Sequence, residues 1–294
     1  MSTPPVEELQ SLSRPTRWLL FYSRRFPLHS GKWRIIHWVR QSLKLNAAGE
    51  FVVQRQGLWW SLNVSDYTQS LLFWYGARDR WEIHHLVRLA RPRSVFFDIG
   101  ANFGYYSVLL ASRVGAECTV HAFEPNPPTF ERLQRNAGLN SLSNVKTYCL
   151  GFSDVSGSAA VIEPAGNSGA THLVEGAGVE LTTLDRFCQV RQIRRLDFIK
   201  IDVEGFEEKV LAGAAETLAR FKPIIVIELN PGTLKRAGSS VQRVAALLGE
   251  HGYTLFKPAR TKLVPLLKLP EGEDYINAFC FPGNQQTFLR LGSG

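Results

Sequence analysis

Apolar and polar positions along this 294-residue chain follow two regimes that change near residue 93. From there on, short apolar runs of strand length alternate with segments whose apolar positions recur every three to four residues, the spacing of a helix face. The runs at 95–99, 118–124, 144–150, 196–202 and 223–229 read as five strands. Helical patterns follow most of them, at 105–114, 127–139, from Phe206, and at 240–251. Tyr253 to Pro258 and Ile276 to Phe281 supply two closing strands with a basic loop between them. Such alternation predicts an α/β fold with a doubly wound, mostly parallel sheet and an antiparallel last strand. Residues 158–184 interrupt it with period-two alternation, predicting a β-hairpin insertion whose arms are joined by the loop G-N-S-G-A-T-H.

Before residue 93 the pattern predicts a helical and β-hairpin extension. Residues 1–16 are rich in Pro and Ser and read as disordered. From Trp18 to Leu45 the pattern suits amphipathic helices, broken at Phe26-Pro27 and restarted after Gly31. The runs 51–56 and 58–64, separated by Gly57, read as a hairpin. Asp66 caps a helix reaching Trp74, and a further helix carrying Glu82, His84 and His85 is stopped by Pro92. The predicted division is 1–16 disordered, 17–92 an extension or lid, 93–284 the main domain and 285–294 a flexible end.

Charge sharpens this division. Residues 1–60 hold nine basic residues against Glu7, Glu8 and Glu50, and so carry six of the eight net positive charges. The remainder is nearly neutral, which argues against a general nucleic-acid binder. Tryptophan with arginine on the helices of 17–45 fits a contact with an anionic membrane or an acidic partner. It equally fits helices that pack their Trp and Ile face on the main domain and solvate their charges, and both readings stay open. No apolar run reaches the 18 or so residues that a membrane-spanning helix needs. The start M-S-T-P-P-V-E-E lacks the order of a signal peptide. Cys118, Cys149, Cys188 and Cys280 show no metal spacing and read as buried free thiols of a reducing compartment. A cytoplasmic protein, with peripheral membrane contact as an option, is the expectation.

The chemistry-bearing residues gather at predicted strand ends. Asp98 closes the first strand and is followed by Gly100, Asn102 and Gly104, a tight turn into a helix. Glycine there lets the backbone turn and approach a ligand, and the helix start offers unpaired N–H groups. The spacing excludes the dinucleotide fingerprint G-x-G-x-x-G, and no Gly-Lys-Ser/Thr of a phosphate loop follows. Glu124 ends the second strand, where an acid can accept from two ribose hydroxyls. Asp154 in G-F-S-D suits either an adenine amino group or a turn cap. His172 in the insertion loop suits either a general base or a solvated side chain. Asp202 and Glu204 lie two residues apart at the end of the fourth strand, where mutual repulsion requires one of them to face ligand, solvent or a cation. Glu228 and Asn230 end the fifth.

The string D-x-G-x-N-x-G resembles the first motif of class I S-adenosylmethionine-dependent methyltransferases, with Asn102 at the place of a frequent glycine. D-I-G-A-N-F-G-Y-Y-S, E-P-N and K-I-D-V-E-G together resemble the FkbM family, over roughly residues 31–283. Phe103, bulkier than the family pattern, and the Trp-rich start depart from it. The resemblance implies a Rossmann-like class I sheet, S-adenosylmethionine as cofactor, and methylation of a hydroxyl on a sugar, glycolipid or secondary metabolite. Under it Asp98, Gly100, Asn102 and Gly104 shape the cofactor loop, Glu124 holds the ribose, Asp154 touches adenine and Asp202 flanks the methionine part. Glu204, His172 and Glu228 are the candidate bases. Acids ending strands four and five are similar to those of metal-dependent catechol-type methyltransferases, but the FkbM resemblance requires no metal and none is assigned. Two other classes remain as alternatives: an NAD-dependent oxidoreductase, and a catalytically silent protein that docks on glycan or membrane.

Overall fold

In the computed structural model, which describes residues 12–25, 31–45, 47–76 and 79–283, the chain opens with helices α1 (Arg14–Arg25) and α2 (Lys32–Ser42). Helix α1 begins inside the segment predicted to be disordered, because Pro15 sits in a first turn that has no use for its missing N–H. The Phe26-Pro27 break, residues 1–11 and the C-terminal end lie outside the described residues. Leu19, Leu20 and Ile36 are buried. The tryptophans are not on that face: Trp18, Trp33 and Trp38 are 64%, 55% and 68% exposed. Trp18 precedes Leu19 by one position, about 100° round the helix, so burying the leucine turns the indole outward.

Strands β1 (Glu50–Arg55) and β2 (Leu58–Asn63) form the predicted hairpin, with Arg55 opposite Leu58. Gln56 and Gly57 between them take φ of 54° and 83°, the pair of positive angles that a two-residue hairpin turn needs. Asp66 caps α3 (Tyr67–Tyr75) by accepting from Gln69 N–H, and α4 (Arg80–Leu89) follows. The alternating region is β3 (Val95–Ile99), α5 (Tyr105–Val114), β4 (Thr119–Phe123), α6 (Pro127–Leu139) and β5 (Val145–Tyr148). The insertion contains β6 (Gly151–Phe152), β7 (Gly157–Ile162), a 3-10 turn at Ser168–Ala170, β8 (His172–Glu175) and β9 (Val179–Thr182). The chain continues through α7 (Leu184–Val190), β10 (Phe198–Ile201), α8 (Glu207–Ala212), α9 (Ala215–Phe221) and β11 (Ile224–Leu229). It ends with α10 (Pro231–Arg236), α11 (Val241–Glu250), β12 (Tyr253–Pro258), β13 (Leu263–Pro265) and β14 (Ile276–Pro282).

Eight strands form one sheet in the order β13-β12-β14-β11-β10-β3-β4-β5. Strands β5, β4, β3, β10 and β11 run parallel, and β14 enters antiparallel between β11 and β12. This is the predicted architecture, with the short β13 added inside the stretch read as a basic loop. The insertion differs from a two-armed hairpin. Gly176 and Gly178 divide its second arm, so β7 pairs antiparallel with both β8 and β9.

Alternation along the parallel strands sorts the core to two faces. Phe96, Phe198, Val226 and Phe279 pack with α5 and with Trp60, Phe73 and Trp74 of the extension. Phe97, Ile199, Ile225 and Ile227 pack with Leu211, Val244 and Leu248 beneath the other face. Three cysteines are buried as predicted, but Cys149 is exposed. Strand β5 ends at Tyr148, so sheet alternation no longer turns the next side chain inward. No helix among the described residues is long and apolar enough to cross a membrane.

Asn136 of α6 and Asn140, the residue that caps its C-terminal end, hold the hairpin. Asn136 accepts from Ser61 N–H at 2.7 Å and donates to the Phe103 carbonyl at 2.8 Å. Asn140 accepts from Trp59 N–H at 2.8 Å and donates to its carbonyl at 2.7 Å. They satisfy the free edge that a two-stranded sheet leaves open. Asn136 is fully buried. Asn136→Ala should lower stability by roughly 2–4 kcal/mol, since each buried group left unpaired costs about 1–3 kcal/mol. Urea denaturation with an unchanged slope measures it, and a loss below about 0.5 kcal/mol would contradict the clasp.

Candidate functional site

The site is built around a lysine in an otherwise apolar strand. Parallel pairing of β3 and β10 sets Lys200 beside Asp98. Lys200 Nζ lies 3.0 Å from Asp202 Oδ2, 3.9 Å from Asp98 Oδ1 and 4.6 Å from the centre of the Tyr106 ring. Asp98 Oδ2 accepts from the Ser107 hydroxyl at 2.6 Å, which ties the strand end to α5. Burial raises the Asp98 carboxyl above its usual range, against the pull of Lys200. Burial alone would discharge Lys200, but Asp202 and Asp98 outweigh it and hold its ammonium above the usual value.

The glycine loop is shaped by its neighbours as much as by any ligand. Gly100 has φ of 80°, and a Cβ there would sit 1.8 Å from the Asp202 carbonyl oxygen. The loop and the carboxylate turn are therefore in backbone contact. Asn102 takes φ of 49°, a left-handed conformation that asparagine tolerates better than most residues. Its backbone N–H donates to Glu124 Oε2 at 2.9 Å, its Nδ2 donates to the Ser168 carbonyl at 3.0 Å, and its Oδ1 accepts from Phe103 N–H at 2.7 Å. Phe103 departs from the family pattern because the hairpin gives it a pocket, its ring lying 6.0 Å from that of Trp60. Glu124 accepts from the backbone N–H groups of Asn102 and Asn126, and burial pushes its carboxyl up to about 7.

The turn after β10 is held by a residue that sequence reasoning passed over. Glu207 is buried and accepts from Val203 and Gly205 N–H at 3.1 and 3.3 Å, which supports Glu204 at φ of 53°. Carboxylate oxygens of Asp202, Glu204 and Glu228 lie within 4.8 Å of one another. Burial, then Asp202 and Glu207, push Glu204 up to about 8, with Arg236 opposing weakly from 3.9 Å. Glu228 is raised well above the carboxylate range by burial and then by Asp202 and Glu204, and its Oε2 has no hydrogen-bond partner among the described residues. Crowded acids titrate as a group and share protons. The same oxygens are donors that a hard divalent cation accepts.

These pieces meet in a cavity of about 250 Å³. Gly100, Asn102, Glu124, Asp202, Glu204 and Glu228 line it, with Lys200 at the sheet end. Gly104 starts α5 at φ of 92°, one layer back, where a Cβ would meet Leu133. Asp98 also lies behind the wall and acts through Lys200. Two predicted residues are not brought in. Asp154 is exposed after β6 and accepts from the Ser153 hydroxyl at 2.8 Å. Thr171 and Leu173 line the cavity, so strand alternation turns His172 away, its Nδ1 3.1 Å from the Ala170 carbonyl oxygen.

The extension completes the wall with Tyr67, Thr68 and Asp79. The cap residue Asp66 accepts from Ser168 N–H, and Tyr67 N–H donates to the Gly166 carbonyl at 2.7 Å, so the insertion loop is fastened to α3. Lys200 was legible as the polar break in strand four. Tyr67, Thr68 and Asp79 carried no motif.

Residues 98–255 match the family described as the methyltransferase FkbM domain. The chain is 28% identical over 153 residues to the hexuronic acid methyltransferase AglP of Haloferax volcanii, covering 51% of this chain and 62% of that protein, less than two thirds of its length. It is 29% identical over 211 residues to the 31-O-demethyl-FK506 methyltransferase FkbM of Streptomyces tacrolimicus, covering 60% and 78%. It is 26% identical over 153 residues to the 2-O-methyltransferase NoeI of Sinorhizobium fredii, covering 45% and 62%. The crystal structure of a methyltransferase FkbM from Methylobacillus flagellatus aligns at a TM-score of 0.45 and 18% identity, covering 69% of this chain and 48% of that one. The matched span is more than half of the chain and contains the glycine loop, Glu124 and the carboxylate turn, so this protein belongs to the FkbM methyltransferase domain family.

Proposed function

We propose that the chain transfers a methyl group from S-adenosylmethionine to a hydroxyl oxygen of a sugar, glycolipid or secondary metabolite. One observation carries the reading: among the described residues, the cavity is lined by the carboxylates of Asp79, Glu124, Asp202, Glu204 and Glu228 against the single cation Lys200. Such a lining suits a ligand of net positive charge and repels a pyrophosphate, which disfavours the nicotinamide dinucleotide alternative. Glu124 keeps acceptor capacity beyond its two backbone bonds for a ribose diol. Leu150 and Phe152 offer an apolar wall to a base. The relatives that methylate a hexuronic acid or act as a 2-O-methyltransferase support a sugar-type acceptor.

S-adenosylmethionine would supply an activated methyl on a positively charged sulfur. The chain's part is to place the acceptor oxygen in line with that methyl and to take the hydroxyl proton. Glu204 suits the role of proton acceptor. It faces the cavity, and with its carboxyl pushed up to about 8 its ionised form, which grows as pH rises through 8, is a stronger base than an ordinary carboxylate. Glu228 beside it, raised well above the carboxylate range, keeps its own proton near neutral pH. Lys200, paired with Asp202 at 3.0 Å, orients that carboxylate toward the ligand's amino-acid end.

As pH rises from 6 to 8.5, Glu124 and Glu204 lose protons, the lining becomes more negative, and a cationic ligand gains affinity. Calorimetry with S-adenosylmethionine should show binding tightened roughly tenfold across that range, with protons released on binding. Affinity that falls with pH, or tighter binding of NADH, would sink the assignment. Glu204→Gln should leave the dissociation constant within about threefold and lower kcat by about 10²–10⁴, the usual contribution of a general base. Its pH profile should lose the limb near 8. An unchanged kcat removes Glu204 from the mechanism.

A further inference from the structure

A second cavity, of about 480 Å³, lies on the far side of α4. Asp79, at the start of that helix, lines the first cavity and Arg80 lines the second. Gln56 lines the second cavity and donates through Nε2 to the hydroxyl of Tyr105, which lines the first, at 3.0 Å. The two spaces therefore back onto each other.

The second cavity is as basic as the first is acidic. Arg24 of α1, Lys32 of α2, Arg55 of β1, Arg80 and Arg88 of α4 and Arg113 of α5 line it, and among the described residues its wall contains no carboxylate. Among the same residues, none of the five arginines has a carboxylate at ion-pairing distance. Arg55 is 4% exposed and donates to the Phe73 and Gln54 carbonyls. Burial and then Arg24 pull its guanidinium down to about 10, the sign of a charge lacking a counter-charge. Arg80, His84 and Arg88 stand four residues apart on one face of α4. Solvation explains a lone surface arginine, but it does not explain five, from four elements, converging on one concavity.

We propose that this second cavity is an anion site that takes a phosphoryl group, either on a soluble molecule or on a lipid headgroup. Guanidinium forks match phosphate oxygens in charge and geometry. The lipid source has its own arm of the test because Trp18 and Phe21, on the same helix as Arg24, are 64% and 57% exposed, and such side chains enter a bilayer interface. The proposal stands apart from the methyl-transfer reading, since it rests on a different cavity.

The test titrates the full chain calorimetrically with pyrophosphate, and floats it with vesicles of phosphatidylcholine alone or mixed with phosphatidic acid. The wild type should bind pyrophosphate, or the acidic vesicles in preference to the neutral ones. The Arg80→Gln/Arg88→Gln double variant, and separately Arg113→Gln, should bind at least about tenfold more weakly, the loss of one or two charge-assisted hydrogen bonds. Arg260→Gln, exposed and outside this wall, should bind as wild type. Vesicle binding without pyrophosphate binding identifies a lipid headgroup; the reverse identifies a soluble phosphorylated ligand. Binding of neither probe, or equal binding by the folded variants, overturns the site. S-adenosylmethionine affinity measured on the same samples should not change, and its absence in the wild type would count only against the methyltransferase reading.

Discussion

The buried ion pair between β3 and β10 is the constraint on which the site rests. An ammonium at the end of a parallel sheet, 5% exposed, stays charged only beside acids, and Asp98 and Asp202 supply them. Breaking such a pair costs about 3–5 kcal/mol, because the remaining charge is left without compensation. Asp98 is thus bound to its position by Lys200 and Ser107 rather than by a ligand. The pair fixes the two strand ends relative to each other. Gly100 then brings the glycine loop against the Asp202 carbonyl, where a methyl group would not fit. The loop and the carboxylate turn are consequently in backbone contact at the wall of the cavity.

Around that rigid floor, the extension and the insertion supply the walls. Asp66 serves two segments at once, capping α3 through one oxygen and holding Ser168 through the other. Asn102 reaches the same residue from the other side. The loop that reads as a flexible Gly/Ser stretch is therefore anchored through Asp66, Tyr67 and Asn102, which pair its backbone polar groups. The extension also explains the departure at Phe103, whose ring packs against Trp60 while its carbonyl accepts from Asn136. An isolated 93–284 segment would lack that pocket and would expose the Phe96 face of the sheet, which Trp60, Phe73 and Trp74 cover in common with α5.

Charge is divided within the protein in a way that a net value conceals. The overall excess of +8 resolves into an acid-lined cavity at the strand ends and an arginine-lined cavity behind α4. The first crowds carboxylates until burial and repulsion raise Glu124, Glu204 and Glu228. In the second, burial and then the neighbouring Arg24 pull the Arg55 guanidinium down. Each cavity stores an electrostatic imbalance that a ligand of the opposite sign would relieve.

The sheet and most of the first cavity were legible in sequence, because they rest on local rules. Period-two and period-3.6 patterning marks strands and helices, and strand ends followed by glycine or proline mark ligand-facing turns, so Gly100, Glu124, Asp202 and Glu204 were legible as turn residues in the sequence. His172 and Asp154 lie outside the cavity wall for reasons invisible in sequence. For His172 the phase of strand β8 decides which neighbour faces the cavity, and a shift of one reverses every side chain, whereas Asp154 lies in the exposed bend after β6, where no alternation applies. Lys200 gained its meaning only from its pairing with Asp98 across two strands more than 100 residues apart. Asn136 and Asn140 gained theirs from the edge of a hairpin that the chain forms some 75 residues earlier. The arginine cavity joins four elements that share no motif, since like charges distant in sequence leave no periodic trace. Sequence alone determined the elements and the family resemblance. Tertiary structure decided which charges meet, because burial and distance, which set the energy of a charge, belong to the folded arrangement.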